Sequence, residues 1–278
     1  MMKQTTTLLI RPAARGGKYL GADAANAHHH SAAAFLLDPA AERVAAFGLT
    51  EAATPQSAGP ADLMAPVSRC APFAADGDTV GVRLSVDIAE PTVFRLLAVG
   101  PLSHPDQARV VQADITLLPG VDIGIGPQYP EGLVVEIPGL CISAVAAQWQ
   151  GAQLSCRAKV TMMCGCPIRR QSGWFWPAGD FSVRLVTCTQ RGAVYSYPLA
   201  FDDSQPLGSS FQGQWDNQAP GDPVAQAWVY ASEPKLGNQG CYRILPALPL
   251  PPLRLPRDAQ RVLREADITG NARACAER

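Results

Sequence analysis

The chain has 278 residues, enough for one large or two ordinary domains, and 47% of them are apolar, enough to furnish sizeable cores. The formal net charge of −1 has no long block of one sign behind it, which argues against a nucleic-acid binder that works by neutralising phosphates. A small molecule or a protein is the expected partner, and with 24 glycines and 25 prolines the composition suits many turns joining short strands.

The first residues, Met1 to Pro12, lack the apolar stretch and small-residue cleavage site of a secretory signal, so a cytoplasmic chain is expected unless the sequence is a trimmed precursor. There is no uninterrupted apolar run of roughly 18 to 20 residues, and no spanning helix is expected. After a strand over 4–10, the stretch Ala13 to Gly21 is rich in glycine. It lacks the GxxxxGK[ST] and GxGxxG spacings that cradle phosphates, and its paired glycines read as a bulge or a close backbone approach. His28-His29-His30 places two imidazoles on one side if extended, a pattern open to a transition metal; an exposed loop or strand edge is the simpler account.

Strand periodicity dominates from there. Val80, Val82, Leu84 and Val86 alternate with Gly81, Arg83, Ser85 and Asp87, and 91–99 follows after a short link, so a hairpin is expected. Further strands are expected at 33–37, 108–117, 132–138, 140–149, 154–163, 180–189, 193–201 and 223–231. Asp76 and Asp78, Asp202-Asp203 and His104 sit in turn contexts, where such residues serve solvation and local hydrogen bonding. Gly124-Ile125-Gly126 does not make a dinucleotide site, so a nicotinamide or flavin enzyme is disfavoured.

Many short strands without intervening amphipathic helices predict an all-β fold of antiparallel β-sandwiches, immunoglobulin-like in kind. Two packed sandwich domains are expected, 1–119 and 120–240, divided at Pro119-Gly120; one continuous larger sandwich is the alternative. The remainder, 241–278, combines a proline-rich stretch from Leu245 to Pro256 with a short helix. The first is expected to be extended, as a strap or a partner ligand, because proline fixes φ and withholds amide donors. In the second, Asp258 is expected to cap a helix through Glu265 with Ala259, Val262 and Leu263 on the docking face. The eight cysteines are irregularly spaced, unlike a disulfide framework, and are expected to be mostly reduced and buried.

The candidate chemistry lies at Met162-Met163-Cys164-Gly165-Cys166-Pro167. With 156–164 extended, Cys156, Ala158, Val160, Met162 and Cys164 share a face, and Gly165 lets the chain turn so that Cys166 swings back beside Cys164. Cys164, Cys166 and Met162 are soft ligands suited to Cu(I). In chemistry alone, a Cys-x-Cys pair on a β-sandwich resembles the copper-delivery proteins of cytochrome oxidase assembly, a resemblance confined to this motif. The same thiols suit disulfide exchange or covalent catalysis if one pKa is depressed. The motif has neither a second cysteine pair nor a nearby histidine to complete a zinc site, and a strand end filled by sulfur-bearing side chains is the plain structural account.

These observations predict a ligand-binding or assembly protein with a thiol-containing apolar pocket, in which Trp174 and Trp176 hold a small apolar molecule against Cys164 or Cys166. A protein partner is the alternative to a small molecule, and a homo-oligomer is compatible with the sequence. The enzyme alternative is a cofactor-free lyase or isomerase using Cys164 or Cys166 as nucleophile or acid–base, with Tyr129, Glu131 or Asp180 as partner. A soft-metal carrier holding copper is the third reading.

Overall fold

The structure, a computed structural model, describes residues 2–17, 19–21, 31–50, 81–124, 132–150, 153–170, 176–204, 208–218, 221–245 and 254–266. His28 to His30, Asp76, Asp78, Tyr129, Glu131, Trp174 and most of the proline-rich stretch lie outside the described residues. The described part is strand-rich with one α-helix, in two compact units: Met1–Ile137 with Leu253–Arg278, and Pro138–Pro252. The expected division, Pro119-Gly120, is a turn inside the first unit, where the Val121 N–H donates to the Leu118 carbonyl.

In the first unit, β1 (Gln4–Ala14) lies between β4 (Val82–Ile88) and β7 (Leu133–Ile137). A second sheet runs β3 (Arg43–Leu49), β2 (Ala33–Asp38), β5 (Thr92–Gly100), β6 (Arg109–Leu117). β4 pairs antiparallel with β1 only from Gln4 to Ile10, and the rest of that strand, to Ala14, takes β7 as a parallel partner. This pair departs from the all-antiparallel expectation. β7 occupies the edge of β1 opposite β4, the edge on which the Leu9 N–H donates to the Ile123 carbonyl and the Arg15 N–H to the Ile137 carbonyl, so the backbone groups of that edge are paired as well.

Alternation explains how the two sheets face each other. β4 buries Val82, Leu84, Val86 and Ile88 and exposes the residues between them, and its apolar row meets Leu8 and Ile10 of β1 with Ala34, Leu36, Phe94 and Leu96 of the second sheet. The other face of β2 and β5, carrying Phe35, Leu37, Leu97 and Val99, is covered by Leu255 and by Ala259, Val262 and Leu263 of α1 (Arg257–Glu265). That helix face is the one expected from its spacing. A helix of 9 residues is too short to persist alone, so its packing on the sheet maintains it.

The second unit is one seven-stranded antiparallel order: β14 (Asn238–Leu245), β13 (Val224–Glu233), β10 (Ser182–Thr189), β11 (Val194–Asp202), β12 (Ser210–Asp216), β9 (Gln153–Met162), β8 (Leu140–Gln150). β11 divides it into two layers, because its residues 194–199 pair with β10 and 200–202 pair with β12. The two ends of the order approach closely. A Cβ on Gly240 of β14 would stand 2.6 Å from the Leu140 carbonyl oxygen of β8, so only glycine fits. The interior is filled by alternate residues, among them Leu154, Cys156, Ala158, Val160 and Met162 of β9, Leu185 of β10 and Phe211 of β12.

Candidate functional site

The sulfur-rich segment forms a tight hairpin. The Gly165 N–H donates to the Met162 carbonyl at 2.8 Å, the Met162 N–H donates to the Cys166 carbonyl at 3.1 Å, and Thr161 bridges Pro167. Gly165 sits at φ +86°, the left-handed position that closes a three-residue loop of type I turn plus bulge. The turn expected here is present, and Cys166 runs back opposite Met162. Ser209 braces the return: its N–H donates to the Ile168 carbonyl and its hydroxyl accepts the Ile168 N–H, both at 2.9 Å.

These sulfurs are all buried. Met162 and Met163 are 0% exposed, Cys164 1% and Cys166 4%, and the Cys141 Sγ lies 3.9 Å from the Met163 Sδ. Polarizable side chains of this kind fill irregular interior space well. Cys156, also buried, has its thiol pushed up to about 11 by desolvation. Among the described residues no group of three or more His, Cys, Asp or Glu side chains is placed to hold a metal ion. Six described cysteines are thiols; Cys141, Cys156, Cys164 and Cys166 are buried, Cys188 is half-buried and Cys241 exposed.

The other expected site residues have structural partners. Asp180 ends a 3-10 turn (Ala178–Asp180), and its Oδ1 accepts the Lys235 ammonium at 2.7 Å, tying that turn to the β13–β14 hairpin. Trp176 is buried and its carbonyl accepts the Arg169 N–H, while the Ala178 N–H returns to the Arg169 carbonyl. The connection after Cys166 therefore does fold back on the segment carrying Trp176. Tyr129, Glu131 and Trp174 are outside the described residues.

A recess of about 600 Å³ lies elsewhere in the second unit, over β8, β9 and β12, lined by Gln148, Ser155, Arg157, Gln212 and Gln214 with Ala146, Cys156 and Gly213. Register creates it. Gln148, Ser155 and Gln214 stand in one cross-strand row, and Ala146, Arg157 and Gln212 in the next, on the face opposite the buried residues of β9. The Arg157 Nε and Nη2 donate to the Gln212 Oε1 at 3.2 and 2.9 Å, which orients the guanidinium along the row. Nearby, Asp202 is 8% exposed; its Oδ1 accepts the Ser204 hydroxyl at 2.6 Å and N–H at 3.0 Å. Those two bonds, with the Arg157 charge adding to them against some desolvation, hold its carboxyl below the usual range. The recess is not legible in the sequence. Its only local signal is the outward polar alternation of Arg157 and of Gln212 and Gln214, which gains meaning once β8, β9 and β12 are known to be neighbours.

No helix among the described residues is long and apolar enough to cross a membrane. No family model matches the chain, and no curated protein matches it. A DUF3823 family protein from Bacteroides ovatus ATCC 8483 is 11% identical, over 86% of this chain and 97% of its own, with a TM-score of 0.26. A DUF3823 family protein from Parabacteroides merdae ATCC 43184 is 9% identical, over 90% and 99%, with a TM-score of 0.25. A marsupial T cell receptor is 10% identical, over 87% and 71%, with a TM-score of 0.23. Superpositions this loose bear on neither function nor fold, and the β-sandwich assignment rests on the strand pairing itself.

Proposed function

We propose that this chain is a β-sandwich binding protein whose ligand occupies the recess over β8, β9 and β12. The observation that carries the reading is the convergence of three carboxamides, a hydroxyl and a guanidinium on one recess of about 600 Å³, within the size range of small-molecule sites. Carboxamides both donate and accept, which matches hydroxyl groups, and Arg157 matches an anionic group. The ligand class is therefore a polyhydroxylated molecule bearing a carboxylate. This replaces the apolar ligand expected from sequence: the buried hairpin sulfurs act as packing, and the Cys156 thiol, on the inward face of β9, is kept protonated at neutral pH by burial.

Isothermal titration of the full chain with glucuronate, galacturonate and gluconate tests it. Saturable binding to at least one, weakened roughly tenfold or more in Arg157→Ala through loss of a charge-assisted contact, is the expected result. Absence of saturable binding to all three, or binding unchanged in Arg157→Ala and Gln214→Ala, overturns it.

A further inference from the structure

The opposite layer of the second unit carries a face of different chemistry. Alternation along β10 and β13 turns Val183, Leu185, Val229 and Ala231 inward and leaves Arg184, Val186, Trp228 and Tyr230 on the half-buried outer side. Register aligns them: Arg184 lies directly opposite Tyr230, Val186 opposite Trp228, and Trp228 opposite Arg243 of β14. Each arginine thus flanks the aromatic pair from a neighbouring strand, about 4.8 Å away in the pairing direction. At the margin, Val194 of β11 is 66% exposed.

Charge on this face is unbalanced. None of the strand residues that the register aligns on it is Asp or Glu. The Arg184 Nε donates to the Ser196 hydroxyl at 2.6 Å, and the Arg243 Nε is buried with no hydrogen-bond partner. Neither guanidinium has a carboxylate among the described residues. An arginine in register with aromatic residues and without an anion presents guanidinium donors that an incoming carboxylate can engage in a strong, bidentate geometry. Tryptophan, tyrosine and arginine are also the residues that dominate binding energy at protein interfaces.

We propose that this face docks an acidic protein segment in which carboxylates alternate with aliphatic side chains. Charge complementarity requires the acid, and Val186 and Val194 require the aliphatic part; a sugar ring would stack on a flat aromatic and leave the valines unused. The segment's carboxylates pair with Arg184 and Arg243 while its aliphatic side chains cover Trp228, Tyr230 and the valines. This surface is separate from the recess proposed above, so either reading stands or falls without the other.

The test uses the full chain and a fluorescein-labelled peptide of alternating glutamate and valine, followed by anisotropy. Saturable binding is expected, weakened about tenfold or more in the double variant Arg184→Gln, Arg243→Gln and by raised salt, yet unchanged in Arg157→Gln. Val194→Asp, at an exposed position, provides a second lesion that leaves the interior intact and is expected to weaken binding as well. Circular dichroism and thermal midpoints establish that each variant is folded. Equal binding of a glutamate–serine peptide, or of a lysine–valine peptide, overturns the proposal. So does binding that survives the double variant, and so does tighter capture of polygalacturonate that the double variant abolishes, which would assign the face to an acidic polysaccharide.

Discussion

The Asp258 Oδ2 accepts the Val44 N–H at 2.8 Å, joining α1 to β3 across 214 residues of sequence. The same carboxylate takes the Arg261 Nη2 at 2.6 Å and Nε at 3.0 Å through its other oxygen. The spacing in the sequence predicts that Asp258 caps its own helix, but the residue before the first turn is Pro256 and no side chain caps that end. Proline there fixes an extended entry, and the acid two residues on, within the first turn, bonds the neighbouring strand.

The hydrogen bond from Val44, followed by that from Arg261, holds the Asp258 carboxyl below its ordinary value of 3.8. A depressed folded-state pKa contributes stability that is fully present above the unfolded value and lost as pH falls through the folded one. Asp258→Ala is therefore expected to loosen α1 at neutral pH and to flatten the acid dependence below pH 3.8. Hydrogen exchange at Val44 and along 257–265 reads the first effect, and acid titration of the circular dichroism signal reads the second. Unaltered protection in the variant would show that the apolar face alone docks the helix.

At the sulfur hairpin, Gly165 carries the backbone conformation and the cysteines carry the packing. Gly165→Ala places a Cβ in the left-handed region and is expected to cost about 1–2 kcal/mol in urea unfolding. Gly179, which has open space at its Cβ and no positive φ, is the control, and Gly179→Ala is expected to be near neutral. Equal effects of the two substitutions would remove the assigned role of Gly165.

Local patterns were legible in the sequence where one face of an element is buried and the other is not. β4 shows this, with Val82, Leu84 and Val86 alternating against Arg83, Ser85 and Asp87, and so does α1 with Ala259, Val262 and Leu263. The turn at Gly165 was legible because glycine followed closely by proline permits few alternatives. The parallel pairing of β1 with β7 was not, since which strand takes the edge of β1 opposite β4 is a non-local property. The polar recess escaped for a related reason. Gln148, Arg157 and Gln214 each look like ordinary solvated positions until β8, β9 and β12 bring them side by side. Cysteine and methionine drew attention as soft ligands, yet the same polarizability makes them good core residues, and only burial separates the two uses.

Gly213 occupies the floor of that recess, and a Cβ there would collide with the Trp215 ring, first at Cζ2. Trp215 in turn packs against Tyr197 with ring centroids 5.3 Å apart, so the indole is not at liberty to swing aside without disturbing a second aromatic. Gly213→Ala is expected to destabilise the second unit by about 1–3 kcal/mol through overpacking, with a change in tryptophan emission. A neutral stability and an unshifted spectrum would mean that the ring has room the geometry does not show.

Cys156 gives an alkaline counterpart to the Asp258 effect. Its thiol, 3% exposed, is raised by burial from 9.0 to about 11, so above pH 9 the unfolded chain releases a proton that the folded chain retains. Stability linked to this group is fully present below pH 9 and is lost as pH rises toward 11. At about 1.4 kcal/mol per pH unit, the loss approaches ~2–3 kcal/mol across that window. Cys156→Ala starts from a lower baseline because it vacates part of the interior, but its stability is expected to fall less steeply between pH 9 and 11 than that of the parent. Lysines, tyrosines and the other thiols titrate in both proteins and cancel in the difference. Urea midpoints measured below pH 9 and near pH 11 for the pair provide the comparison. Parallel losses in the two proteins would show that the folded and unfolded thiols ionise alike, and the burial effect assigned to Cys156 would no longer hold.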